Sequence, residues 1–283
     1  MVQIKDIKER IKGVRNTQKI TKAMKSMAII KLQKAEKAAL DSRPFIYAIT
    51  DMVSNLETDN VYYNGNKSRD SLFVVFTSDR GLCGAFNENL IKLAERAIKV
   101  QCQAGKCRLI LVGAKAVAHF RKKKFDIYSS YINLPPDPTV SLSNLVMNDC
   151  KKLYLDGEVG EVMFIYNNFK SKLKYEIKFK RLLPLPKYGS KEAERASQIF
   201  LYEPNKQALF EKVYEMFLET TVFHSFLDLY ASEYSARLVA MTKATDSAEE
   251  MINDLTMDLN KTRQALITRE ILEVISGAEA LSS

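Results

Sequence analysis

The chain has 283 residues, enough for one large domain or two small ones with a real core. Its 46 % hydrophobic and 27 % charged content excludes a disordered or fibrous chain, and the net charge of +9 calls for an acidic partner: a protein surface, nucleic acid or anionic membrane. No apolar run approaches the roughly 18 residues of a bilayer-spanning helix. The N-terminus, MVQIKDIKER, carries Asp6 and Glu9 and no apolar stretch, which argues against a secretory signal or transit peptide.

Neither glycine nor proline occurs between Val14 and Arg43, so the first segment reads as a long helix, assigned to residues 1–58. Ile4, Ile7, Ile11 and Val14 follow the alternating 3–4 spacing of a coiled-coil seam. The stripe continues less strictly through Ile20, Met24, Met27, Ala28, Leu32 and Ala35. Beside it run Lys5, Lys8, Lys12, Arg15, Lys19 and Lys22 at the same spacing, six cations on one face without an anion.

Residues 70–200 alternate strand-like and helix-like segments. Ser71–Thr77 and Arg108–Val112 read as buried strands, Glu161–Tyr166 as a third, and Tyr175–Lys180 as an edge strand. Helical spacing covers Phe86–Val100, Ala114–Lys122 and Ser141–Leu155. Leu134–Thr139, with three prolines, is a loop. This is an α/β layout with a largely parallel sheet.

From Asn205 to Ser276 glycine and proline are again absent, and residues 205–283 read as a second long helix. Leu238, Met241, Thr245, Ala248, Ile252, Leu255, Leu259, Thr262 and Leu266 repeat the seam spacing. Because the α/β segment separates the two helices, they can pair antiparallel. Residues 1–45 carry a net charge of +8 and residues 233–283 a net of −4, which favours that pairing modestly. The expected fold is therefore α/β with long helices: an antiparallel two-helix coiled coil from the chain termini plus an inserted Rossmann-like α/β domain.

Candidate chemistry is sparse. Ser78–Asn87, SDRGLCGAFN, follows a strand and precedes a helix, where α/β sheets place phosphate loops. Gly81 and Gly84 do not make GxGxxG, however, and GxxxxGK[ST] is absent, so the expectation is a tight turn capped by Ser78 or Asp79. Arg121–Lys124 is a basic run read as solvated. His119 and His224 stand alone, so no metal site is expected. Cys83, Cys102, Cys107 and Cys150 form no CxxC and read as reduced cytosolic thiols. Nothing assembles a catalytic, cofactor or metal site. A nucleotide-binding α/β protein and a nucleic-acid-binding protein with coiled-coil arms both remain open. Against the second, no aromatic residue sits among the basic positions to stack on bases.

Three blocks carry a resemblance along the whole chain: Ile11–Leu32, with the core TQKITKAM; Ser78–Asn87; and Ala231–Leu281, with ASEYSARLVAMTKATDSAEEMI and NKTRQALITREILEVISGAEAL. The sequence resembles the gamma subunits of F-type ATP synthases. That resemblance implies a rotating shaft, not itself a catalyst and without a cofactor. The shaft would stand inside a hexamer of alternating alpha and beta subunits, with the α/β part resting on the c-ring beside epsilon, peripheral on the cytoplasmic face of a bacterial membrane. Arg263 and Gln264 match the pair that meets a beta subunit's acidic catch loop. Lys8, Lys12, Lys19 and Met24 match the stretch facing the beta subunits' acidic helix-turn-helix loops. Tyr202 and Glu203 match a segment on the c-ring and epsilon side. The apolar tip, Ile271–Leu281, matches one that turns in a hydrophobic sleeve. Cys102 and Cys107 lie too early to match the regulatory pair of photosynthetic members, so redox gating is not expected.

Overall fold

A computed structural model of the chain describes residues 4–56, 61–185 and 205–282. Tyr202 and Glu203 lie outside these. Two long helices frame the rest: α1, Ile4–Asn55, and α6, Lys206–Ser282. Helix α1 runs through both Gly13 and Pro44. Proline has no N–H, so the Leu40 carbonyl loses one helical partner there, but the turns on either side hold the helix together.

The chain divides into two compact units. One comprises Met1–Ala28 with Leu238–Ser283; the other is Ile29–Arg237.

The first unit is a helix pair. Thr245 Oγ1 donates to Thr21 Oγ1 at 2.9 Å, and Lys8 and Ile11 share a groove with Thr256 and Leu259. Residue numbers thus fall along α1 as they rise along α6, so the pair is antiparallel. Ile7, Ile11, Thr21, Ala28, Met241 and Ala248 are buried in it. Val14, Leu238, Ile252, Leu255 and Leu259 are half-buried. Between Val14 and Ala28 the seam departs from the expected line. Ile20 is 61 % and Met27 55 % exposed, whereas Gln18, Thr21 and Lys25 turn inward. The 3–4 register holds its phase through these polar positions, because a jump to the nearby apolar residues would require a break in the supercoil. Thr21 donates its own hydroxyl to the Gln18 carbonyl, and the single Thr245 proton is shared between Thr21 Oγ1 and the Met241 carbonyl. The buried Thr21 hydroxyl and the half-buried Thr245 hydroxyl therefore both have partners.

The second unit is built on a five-stranded sheet. Its strands are β1 Ser71–Phe76, β2 Cys107–Val112, β3 Asp126–Tyr131, β4 Glu161–Ser171 and β5 Lys174–Leu183, in the order β3-β2-β1-β4-β5. All pairings are parallel except the β4–β5 hairpin. Helices α3, Phe86–Gln101, and α4, Ala114–Phe120, cover one face. There Leu90, Ala94, Ile98, Val117 and Phe120 meet Phe73, Val75, Leu109, Leu111 and Ile165. Helix α2, Val61–Asn64, is short, and α5, Val140–Leu155, leads from β3 back to β4. On the face opposite α3, Phe76 packs against Phe164, Tyr166 and Phe226 of α6. The strand β3 is not among the sequence expectations. Its Ser129 and Tyr131 hydroxyls donate to Asp149 of α5, and a register shift opposite Leu109/Ile110 leaves Tyr128 unpaired with β2. A short polar edge with a bulge has no apolar run to announce it, and the same features protect it from pairing with other chains.

The antiparallel register puts Ile4 level with roughly residue 262, leaving about 20 residues of α6, or about 30 Å, past the first described turn of α1. Side chains from Arg263 to Ala278 are all exposed. Leu255→Asp should cost the full chain about 2–3 kcal/mol, by placing a charge in the seam, and Ile271→Asp less than about 0.5 kcal/mol. Thermal unfolding of the two variants checks this; equal losses would mean that the tip has a partner within the chain.

Candidate functional site

Two surfaces were marked by the sequence: the glycine loop after β1 and the basic flank of α1. The loop comes first, because its position in the sheet is where nucleotides bind. In a 3-2-1-4 strand order the crevice opens at the carboxyl ends of β1 and β4, where the crossovers diverge. Here the polar side chains of the loop turn inward. The Ser78 N–H donates to Asn87 Oδ1 at 3.0 Å, Asn87 Nδ2 donates to Ser78 Oγ at 2.8 Å, and Ser78 Oγ donates to the Arg80 carbonyl at 2.8 Å. Asp79 caps no turn of α3, whose N-cap, Ala85, has no side-chain bond. Its carboxylate instead accepts the backbone N–H of Ala114, at the start of α4, and that of Leu134. A protein carboxylate thus sits at the helix start where a phosphate would otherwise find donors. Gly113 allows this approach: its φ is +92°, and an added Cβ would lie 2.1 Å from the Thr77 carbonyl oxygen.

The crevice is also covered from above. Strand β4 runs on to Ser171, well past its last pairing with β1 at Ile165, and α6 crosses it. Tyr230 and Tyr234 donate to the carbonyls of Pro135 and Pro136, Ser232 to Asn167 O and Ser235 to Lys172 O. Arg237 donates to Gly81 O at 3.3 Å and to Glu233 Oε1 at 2.5 Å, and stacks near the Tyr234 ring. Burial pushes the Glu233 carboxyl up, and Arg237 pulls it back. The block ASEYSARLVAMT is therefore a docking strip: its serines, tyrosines and ion pair fasten α6 to the loop and hairpin. No group of three or more histidine, cysteine or carboxylate residues among the described residues could hold a metal ion.

The flank of α1 is different. Lys8, Ile11, Lys12, Arg15, Asn16 and Lys19 line an open groove of about 470 Å³ with Thr256 and Leu259. Among the described residues, none of these four cations makes an ion pair. Among the described residues these four cations therefore attract the carboxylates of α6 only at longer range. Lys8, Lys12 and Lys19 are exposed; Met24 is half-buried on the same helix. Arg263 and Gln264 are exposed on α6, in the stretch past the start of α1. The loop and the groove are thus separate features in separate units. Arg237 and Glu233 belong to none of the sequence motifs above; their one signal is a charge pair four apart inside an otherwise small and aromatic helical stretch.

A family model described as ATP synthase matches residues 3–281. The ATP synthase gamma chain of Prosthecochloris aestuarii is 37 % identical over 291 residues, covering 99 % of each chain. The chain belongs to the ATP synthase gamma chain family. A second member, from Halothermothrix orenii, is 36 % identical over 289 residues and covers 99 % of this chain and 100 % of its own. Among solved structures, a chain of the Euglena gracilis mitochondrial ATP synthase matches with a TM-score of 0.70 at 19 % identity, over 98 % of this chain and 94 % of its own. A chain of the Tetrahymena thermophila central stalk and c-ring structure matches at 0.63 and 24 % identity, over 80 % and 99 %. At these identities the likeness is one of fold. As a gamma-chain family member, the protein is part of an enzyme complex. No helix among the described residues is long and apolar enough to cross a membrane.

Removing one partner of a buried ion pair strands the other. Arg237→Ala should cost about 3–5 kcal/mol, and Glu233→Met combined with Arg237→Met far less, by denaturant unfolding of the purified chain. Equal losses would show that packing, and not the stranded carboxylate, sets the cost.

Proposed function

We propose that the chain is the non-catalytic central shaft of an F-type ATP synthase, passing ion-driven rotation of a c-ring to catalytic beta subunits. The observation that carries this reading is the basic groove, without an ion pair among the described residues, on one side of a helix pair whose side chains from Arg263 to Ala278 are exposed. Four unpaired cations on one flank, with α6 acidic, make a rod whose electrostatic surface differs around its circumference. Inside a ring of alternating alpha and beta subunits, such a rod would present its basic flank to one beta subunit at a time. A contact that favours one conformation of its partner shifts that partner's equilibrium by the difference in contact energy, and rotation hands the bias to the next site.

In this reading Lys8, Lys12, Lys19 and Met24 face the acidic loops of the beta subunits. Arg263 supplies a planar fork of donors to a catch-loop carboxylate, and Gln264 adds a donor and an acceptor. The bare apolar tip, with Ile271, Leu272, Val274 and Ile275 exposed, would turn in an apolar sleeve. The α/β body would rest on the c-ring with epsilon, Tyr202 and Glu203 on that side, so the protein would be peripheral on the cytoplasmic face of a bacterial membrane. A nucleotide-binding or nucleic-acid-binding role is disfavoured: the sheet crevice is filled by the chain's own groups, and the cations lack interleaved aromatics.

Replacing Lys8, Lys12 and Lys19 with Gln, a comparable helix former, should change ATP turnover in the assembled complex at low salt, with the difference shrinking as salt rises. Wild-type turnover at low salt would reduce the stripe to a solvated face. Arg263→Ala and Gln264→Ala should each lower turnover by roughly tenfold, since a charge-assisted bond is worth about 1.5–3 kcal/mol. Their combined loss should fall short of the product, because both serve one loop. Full activity of the double variant, at unchanged subunit composition, would remove the latch.

A further inference from the structure

Four cysteines are present and all are free thiols; Cys83, Cys107 and Cys150 are buried, and Cys102 is exposed. Cys83 is held in the glycine loop by Asn87, and Cys150 is sealed in α5. Cys102 and Cys107 are arranged differently. Cys102 is the C-cap residue of α3, and Cys107 opens β2. The carbonyl of Ile98 accepts both the Cys102 backbone N–H, at 2.8 Å, and the Cys107 thiol, at 3.7 Å. The Cys102 backbone and the Cys107 side chain thus meet at one carbonyl, which makes the two residues close neighbours.

Backbone and Asp70 bonds also set the turn between them. Gln103 N–H donates to Val100 O and Ala104 N–H to Gln101 O. Lys106 N–H donates to Asp70 Oδ1 at 2.9 Å, and Ser71 N–H to Lys106 O at 2.9 Å. A Cβ on Gly105 would lie 2.3 Å from the Arg69 carbonyl oxygen, so only glycine lets the turn lie against that strand entry. The backbone therefore holds the two cysteines side by side in the reduced protein.

We infer that Cys102 and Cys107 are a dithiol site that closes to a disulfide by exchange with a small-molecule disulfide such as oxidised glutathione. Cys102, the exposed sulfur, attacks as thiolate; one glutathione thiolate leaves and a mixed disulfide forms on Cys102. Cys107 then loses its proton to solvent and attacks Cys102 Sγ, expelling the second glutathione. Two protein thiols are oxidised, and one glutathione disulfide is reduced to two thiols.

The order of steps has a kinetic consequence. Burial, followed by the adjacent Cys102 thiol, pushes the Cys107 thiol up to about 12. Little thiolate is present near neutral pH, so ring closure is the slow step and speeds up roughly tenfold per pH unit. In reduction, attack on the exposed Cys102 sulfur must expel Cys107, a poor leaving group because its thiol is weakly acidic. The pair should form slowly and persist once formed, which suits a mark of past oxidation better than a rapid switch.

The test uses the full-length chain, reduced, then incubated with oxidised glutathione from pH 7 to pH 9, quenched with acid, unfolded with an alkylating reagent, and read by peptide mass spectrometry. The expected sequence is a glutathionyl adduct on Cys102, then a Cys102–Cys107 disulfide whose formation accelerates roughly tenfold per pH unit. Cys107→Ser should halt at the adduct, and Cys102→Ser, a surface change, should yield neither product. Wild-type protein that keeps the adduct at pH 9 with Cys107 still alkylated would overturn the inference. So would first modification at Cys83 or Cys150.

Discussion

The structure depends on one long-range pairing: the heptad seam that joins Ile7 and Ile11 near the start of the chain to the stretch from Met241 to Leu259 near its end. A two-stranded coil of this kind gains from apolar burial only while both helices keep one phase. Everything between the two helices must then be an insertion whose entry and exit are tied to the same helix pair. The α/β body meets that requirement. Arg43 of α1 donates to Phe169 O, Lys34 pairs with Asp137, and α6 is fastened by Tyr230, Ser232, Ser235 and Arg237. The crevice a doubly wound sheet would offer a nucleotide is spent on anchoring a helix.

The same economy explains why the shaft is polar in the middle of its seam. Gln18, Thr21 and Lys25 give up apolar area, yet the Thr21–Thr245 bond can form in only one register. Buried polar pairs of this kind specify alignment more than they stabilise. A helix pair that carried torque would need its register more than the last increment of burial.

Much of this was legible in the residues. The absence of glycine and proline announced both helices, and Ile4, Ile7, Ile11 and Val14 gave the seam its phase. What misled was the weight placed on apolarity over phase at Ile20 and Met27, where the register continues through polar side chains. Strand β3 escaped because SSY at an edge reads as a loop until Asp149 is in place to receive its hydroxyls. By its place after a strand Asp79 reads as a local cap, but its partners Ala114 and Leu134 lie 35 and 55 residues away, at distances no local pattern reveals. The basic flank was visible as a stripe. That its cations find no anion on α6 required the fold.

The central claim is that this helix pair turns within a ring of alpha and beta subunits. Because Cys102 is the exposed thiol among the described residues and is not part of the helix pair, a bead can be attached there on the reduced chain. With the chain assembled into an immobilised complex with alpha and beta subunits, the account predicts that adding ATP drives sustained rotation of the bead in one direction. ATP hydrolysis by the same complexes with a stationary bead would contradict it.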